Sequence, residues 1–195
     1  ERELEQITQM LKNENCRLLT ITGPGGIGKT RLGLAAAYNN QSHYDHGVYF
    51  ISLAAVNPGE SIFPVIANSI GLTIFGSHSI ERQIASFINE KRMLLVLDNF
   101  EHVLDNALLL DEVLRYTRNL NVLATSRERL NLQPEWVFEL QGLPYPVDDP
   151  TNHYEDYSAF QLFLQTAQRS RPGIDLSGGE RIAAGRICSL LDGNP

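Results

Sequence analysis

Gly23, Pro24, Gly25, Gly26, Ile27, Gly28, Lys29 and Thr30 fill the pattern G-x-x-x-x-G-K-[ST] without a mismatch. No other stretch constrains the fold as strongly, because the pattern works only between a buried strand and the first turn of a helix. Glycines let the backbone wrap closely enough for its N–H groups to point at phosphate oxygens. A lysine at the seventh position reaches the β- and γ-phosphates, and the hydroxyl that follows sits on Mg²⁺. Both flanks fit. Arg17 to Thr22 (Arg-Leu-Leu-Thr-Ile-Thr) is a short, mostly apolar run. Arg31 to Ala37 (Arg-Leu-Gly-Leu-Ala-Ala-Ala) opens a helix whose N-terminus faces the anion. A glycine-rich turn matching by chance is the plain alternative, and these flanks argue against it. Gly23 to Thr30 together with Arg31 are therefore the candidate nucleotide-binding residues.

Strand and helix signals alternate through the next hundred residues. Glu3 to Lys12 carries Leu4, Ile7, Met10 and Leu11 on one helical face. Gly47 to Leu53 reads as a second strand. Pro58 to Ser69 and Ile80 to Asn89 read as helices. Met93 to Asp98 is a third strand, continuously apolar and so buried on both faces. A helix over about Leu104 to Arg118 precedes a fourth strand, Asn121 to Thr125, and a fifth follows at Trp136 to Leu140. This alternation implies a parallel sheet with helices on both faces, an α/β three-layer sandwich. Gly142 to Asp149 then changes character: Pro144, Pro146 and Pro150 mark a linker. Two helices, Tyr157 to Arg169 and Ser177 to Leu191, follow with no strand between them. The expected domains are a nucleotide-binding domain over 1–145 and the start of a small helical domain over 151–195.

The acid that ends the third strand, Asp98, falls at the carboxyl edge of the sheet, where open α/β sheets bind ligands. Downstream of a P-loop it is the candidate to hold Mg²⁺ through water, opposite Thr30. A helix-capping aspartate is the structural alternative. The next residue is Asn99, where vigorous ATPases of the class with an extra strand between P-loop and acid carry glutamate. An amide can orient water and cannot take its proton. Glu101 is a second carboxylate that could do so, or simply a solvent-facing acid. Arg127, closing the fourth strand, could report a γ-phosphate through its guanidinium. Arg129 is the runner-up, and pairing with Glu128 or a loop acid is the alternative use of Arg127. The candidate catalytic group is thus Lys29, Asp98, Asn99 and Arg127, with ATP or ADP and Mg as cofactors and hydrolysis expected to be slow.

Several function classes fall away. A net charge of −7 argues against direct nucleic-acid contact by this segment. Two cysteines, Cys16 and Cys188, show neither metal spacing nor a disulfide framework and suit a reducing cytoplasm. No signal peptide or spanning apolar run is present in the sequence, and the five histidines do not cluster. Leu176 to Arg181 (Leu-Ser-Gly-Gly-Glu-Arg) imitates a transporter signature, but in transporters that signature precedes the aspartate strand. Ser177 and Glu180 instead form S-x-x-E ahead of a helical run, a capping box.

Four segments in this order, the P-loop, Leu97 to Val103 (Leu-Asp-Asn-Phe-Glu-His-Val), Ala124 to Arg127 (Ala-Thr-Ser-Arg) and Gly193-Asn194-Pro195, resemble the STAND class of signal-transduction ATPases. That class is related to the NB-ARC domains of apoptotic and plant-immunity proteins. The likeness is greatest to the ATPase modules of large bacterial LuxR-type and antibiotic-regulator-type transcription factors, and it covers nearly the whole chain. The resemblance implies a sheet order of 5-1-4-3-2 and an ARC1-like helical subdomain. It also implies that Pro195 approaches the nucleotide, although Asn194 stands where the family has leucine. A Gly-Arg pair ahead of Glu1, a winged helix and a sensor region would belong to the rest of such a protein. The expected function is a switch: ADP holds a resting form, and ATP favours one that self-assembles. The expected alternatives are a turnover ATPase or small-molecule kinase, and a P-loop scaffold without activity.

Overall fold

The computed structural model describes residues 1–76, 78–147 and 153–195. These form two compact units, residues 1–24 with 29–140 and residues 25–28 with 141–195. The first is built on five parallel strands: β1 (Leu18–Thr22), β2 (Val48–Ser52), β3 (Met93–Asp98), β4 (Leu120–Ser126) and β5 (Glu135–Glu139). They lie in the order β2-β3-β4-β1-β5, which is the expected 5-1-4-3-2 read from the other edge. Among the described residues five α-helices belong to this unit: α1 (Arg2–Lys12), α2 (Lys29–Asn40), α3 (Phe63–Ser69), α4 (Ile80–Ile88) and α5 (Ala107–Tyr116).

Strand side chains alternate between two cores, as the period of two requires. Leu18, Leu95, Leu97, Val122 and Ala124 join one apolar cluster with Phe63, Ile66, Ile84, Ile88, Leu110 and Val113 from α3, α4 and α5. Leu19, Ile21, Leu94, Val96 and Leu123 join the other, with Ile7 and Leu11 of α1 and Ala36 and Ala37 of α2. All residues of β1 and β3 are buried, and for that reason both strands read as continuous apolar runs. The ladder registers align the carboxyl ends: Thr22 stands level with Ser126, Leu97 with Ala124, and Ser52 with Asp98. Residues that leave β1, β3 and β4 therefore emerge along one edge.

The helix expected over Pro58–Ser69 is shorter, starting at Phe63. Gly59 has φ +83°, which breaks a helix there, and Pro64 occupies the first turn, where its missing N–H costs nothing. Asn106 fixes this entry. Its Oδ1 accepts from the Ile62 N–H at 3.1 Å, and its Nδ2 donates to the Glu60 carbonyl at 3.0 Å. The helix expected from Leu104 likewise begins at Ala107, after 3₁₀ turns over Phe100–His102 and Leu104–Asn106. Arg17 lies just ahead of β1. Its guanidinium donates to the carbonyls of Leu120 (2.8 Å) and Leu114 (3.2 Å) and to Thr117 Oγ1 (3.1 Å), closing the α5–β4 connection.

In the second unit, α6 (Ser158–Ser170) and α7 (Gly178–Leu190) share a small core of Tyr154, Ala159, Phe160, Ala184 and Cys188. The capping box at α7 is formed: the Glu180 carboxylate accepts from the Ser177 N–H at 3.0 Å. After α7 the chain turns at Gly193, φ +67°, whose carbonyl accepts from the Leu143 N–H at 2.9 Å. A Cβ at 193 would collide with the Leu143 carbonyl. The part of the expected linker over 148–150, and the expected start of the helical domain at 151, lie outside the described residues.

Gly185 packs directly under the Tyr154 ring, where a Cβ would stand 2.7 and 2.9 Å from two ring carbons. Helix propensity alone favours alanine by about 1 kcal/mol, whereas overpacking costs about 1–3 kcal/mol. Gly185→Ala is expected to lower stability by about 1 kcal/mol in urea unfolding, the overpacking term outweighing propensity.

Candidate functional site: a phosphate loop facing Asp98

The P-loop leaves β1 at Gly23 and enters α2 at Lys29. Gly26 (φ +82°) and Gly28 (φ +102°) take the left-handed conformation that L side chains resist. A Cβ at Gly28 would meet nothing within 4 Å, so its constraint is conformational and the space beside it is open. Ile27 turns inward and is buried, while Pro24, Gly25, Thr30 and Arg31 are exposed. The Lys29 ammonium donates to the carbonyls of Gly23 (2.8 Å) and Pro24 (2.9 Å), bracing the loop's entry. Burial lowers the Lys29 pKa. Glu101 and then Asp98 act against that lowering, and Arg127 adds to it.

Asp98 ends β3 buried, 5% exposed. Its Oδ1 accepts from Thr30 Oγ1 at 2.7 Å and from Thr125 Oγ1 at 2.6 Å. The same Thr125 oxygen accepts from the Asn99 N–H at 3.1 Å. Thr125 is the residue that sequence reasoning missed. A threonine in a strand reads as β propensity, and only the β3–β4 pairing brings it beside Asp98. Asn99 itself is left-handed (φ 63°, ψ 46°), a conformation that asparagine tolerates better than most residues. This turn swings the chain into the 3₁₀ turn that carries Glu101.

Arg127 emerges from β4 and pairs with Glu101 rather than with Glu128: its Nε lies 3.2 Å from Glu101 Oε1. Arg129 is exposed on the same loop. The structure thus brings Lys29, Thr30, Asp98, Asn99 and Arg127 to one sheet edge. In the second unit, Asn194 Nδ2 donates to the Gly25 carbonyl at 3.1 Å, a polar contact where the family pattern has leucine. Pro195 follows it, exposed.

The donor set suits a hard cation. A hydroxyl and a carboxylate in direct contact are oxygen ligands of the kind Mg²⁺ takes, with phosphates and waters supplying the remainder. Among the described residues no group of three or more His, Cys, Asp or Glu could hold a metal by itself. No helix there is long and apolar enough to cross a membrane.

This fold and this loop define a P-loop nucleotide-binding module. The NB-ARC domain family model matches residues 1–131. The chain belongs to the NB-ARC domain family, as a STAND-class P-loop module. It is 31% identical over 194 residues to a Mycobacterium tuberculosis protein named only as uncharacterised, covering 99% of this chain and 46% of that protein. It is 35% identical over 180 residues to another M. tuberculosis protein, named as an HTH-type transcriptional regulator, covering 92% of this chain and 19% of that one. The chain therefore spans less than half the length of either relative. Among solved structures, a STAND protein with a tetratricopeptide-repeat sensor from Pyrococcus horikoshii matches with a TM-score of 0.58 at 19% identity, over 100% of this chain and 28% of that one. The Aeropyrum pernix ORC2 protein, solved as ADPNP–ADP complexes, matches with a TM-score of 0.56 at 13% identity, over 86% and 51%. These two likenesses concern the fold.

Thr125→Val removes one of the two hydroxyls on Asp98 and the acceptor of the Asn99 N–H. Leaving such buried groups unsatisfied is expected to cost about 1–3 kcal/mol, read as a lowered midpoint at unchanged slope in urea unfolding.

Proposed function

We propose that this chain is the ATP/ADP switch core of a larger signal-transduction or transcriptional regulator. In this reading it hydrolyses ATP slowly and assembles with other copies in its ATP form. The observation that carries the reading is the cluster at one sheet edge. Thr30 at the start of α2 bonds Asp98, an arginine leaves the neighbouring strand, and an amide, Asn99, stands where a fast hydrolase has a carboxylate.

Backbone N–H groups of the loop receive the phosphates at the α2 N-terminus, whose dipole favours an anion. Lys29 gives up its loop carbonyls for β- and γ-phosphate oxygens. Thr30 and Asp98 hold Mg²⁺, Asp98 through water, and Thr125 keeps the carboxylate aimed. Held there, Mg²⁺ would supply positive charge against the phosphates. Arg127 distinguishes ATP from ADP by contacting the γ-phosphate, so the two nucleotides stabilise different states. Residues 1–145 would be the nucleotide domain and 151–195 the first helices of an ARC1-like subdomain, with Pro195 near the nucleotide. The winged helix and sensor would lie elsewhere in the protein. The relative named as an HTH-type transcriptional regulator supports a role in transcription, and in this reading the protein works in the cytoplasm with DNA contact left to other domains.

The purified chain is expected to release stoichiometric ADP on denaturation, identified by ion-exchange chromatography. Lys29→Ala abolishes nucleotide binding, and Asp98→Ala removes the Mg²⁺ dependence of ATP binding in titration calorimetry. Steady turnover stays below about 1 s⁻¹, the low end of ordinary enzymes. A faster rate would favour a turnover ATPase or small-molecule kinase instead. Binding that survives Lys29→Ala would remove the site assignment.

A further inference from the structure

Glu101 is an acid at this edge for which the P-loop reading has no use, and it is held in an unusual way. Its side chain is only 8% exposed. Oε1 receives the Arg127 Nε–H, while Oε2 is buried without a hydrogen-bond partner. A buried carboxylate oxygen left unsatisfied costs free energy that an ordinary surface acid would avoid by turning to water. Its position is also specific. Its pairing with Arg127, which leaves β4 at the same sheet edge as Asp98, puts the carboxylate at that edge, and its charge acts against the lowering of the Lys29 pKa. Asn99, φ 63°, is the bend that places it there, three residues beyond Asp98.

We infer that Glu101 is the proton-accepting carboxylate for ATP hydrolysis, taking over from Asn99, and that Arg127 positions it while contacting the γ-phosphate. This rests on the nucleotide-switch reading above. The guanidinium geometry allows both contacts at once. Nε is committed to Glu101, and the side chain, 63% exposed, keeps its two terminal nitrogens for phosphate oxygens. When a γ-phosphate draws the Arg127 side chain towards itself, Oε2 comes out of its buried position and takes a water, which attacks the γ-phosphorus. A bond forms from the water oxygen to phosphorus, and the bond from phosphorus to the β–γ bridging oxygen breaks. The electron pair leaves on ADP. The water proton passes to Oε2 and from there to solvent or the released phosphate. Because one guanidinium serves both groups, the carboxylate is correctly placed only when a γ-phosphate fixes Arg127. Hydrolysis is then coupled to the residue that senses the nucleotide.

The test is single-turnover release of phosphate from Mg·ATP by the 195-residue chain, with ATP and ADP affinities measured in parallel by calorimetry. Glu101→Gln keeps an oxygen for the Arg127 Nε–H and cannot take a proton. It is expected to slow phosphate release by about 10²-fold or more, while the chain still binds both nucleotides and still prefers ATP over ADP. Glu101→Asp keeps the charge, withdraws it by one methylene, and gives an intermediate rate. Arg127→Ala loses both the rate and the ATP preference. Wild-type rates in Glu101→Gln or Glu101→Asp overturn the proposal, as does a wild-type chain that binds ATP and releases no phosphate. A wild-type chain that binds neither nucleotide removes the underlying switch reading, and the proposal with it.

Discussion

Asp98 Oδ1 takes two hydroxyl hydrogen bonds, one from the first turn of α2 and one from the end of β4. A charged acceptor makes each of these stronger than a neutral pair, and burial removes the competing water. The bonds join three elements far apart in sequence at the point where the sheet's carboxyl edge meets the P-loop helix. The parallel registers set that edge, and the two-sided apolar core sets the registers. Thr30, Asp98 and Thr125 therefore report in a few ångströms whether the whole first unit has assembled correctly. A site of this kind needs no flexible loop to bring its acid to the phosphate side. The strand delivers it.

Much of this was legible in the residues. The P-loop demanded a strand, a turn and a helix, and it has them. Met93 to Asp98 was readable to the residue because a strand buried on both faces has no polar positions to blur its limits. Helix starts were read less well, for local reasons. Gly59 breaks the segment expected to be helical. Asn106 falls inside the helix expected from Leu104, but its side chain is spent on the backbone of residues 60–62. The role of Thr125 was not legible, since threonine in a strand carries no signal of what it touches. The Arg127–Glu101 pair spans two different strand ends, so only their lateral spacing makes it. Arg127 was found by its place after β4; its partner needed three dimensions.

The position after Asp98 sets where the next acid goes. With Asn99 there in a left-handed turn, the backbone bends at once, and the next acid, Glu101, arrives beside Arg127. Strained non-glycine conformations of this kind gather at functional sites because surrounding contacts hold them in place. Here the contact is the Asn99 N–H to Thr125, the same hydroxyl that steadies Asp98.

Lys29 is tied to the carbonyls of Gly23 and Pro24, and so the loop carries its own internal cation. Two backbone oxygens at the entry of the loop, which a turn of this kind would otherwise leave to water, are thus satisfied by one side chain. The glycines beyond them, with the greatest conformational freedom of any residue, are held between a buried strand on one side and the first turn of a helix on the other. A segment with no side chains of its own to pack is thereby shaped by its two ends.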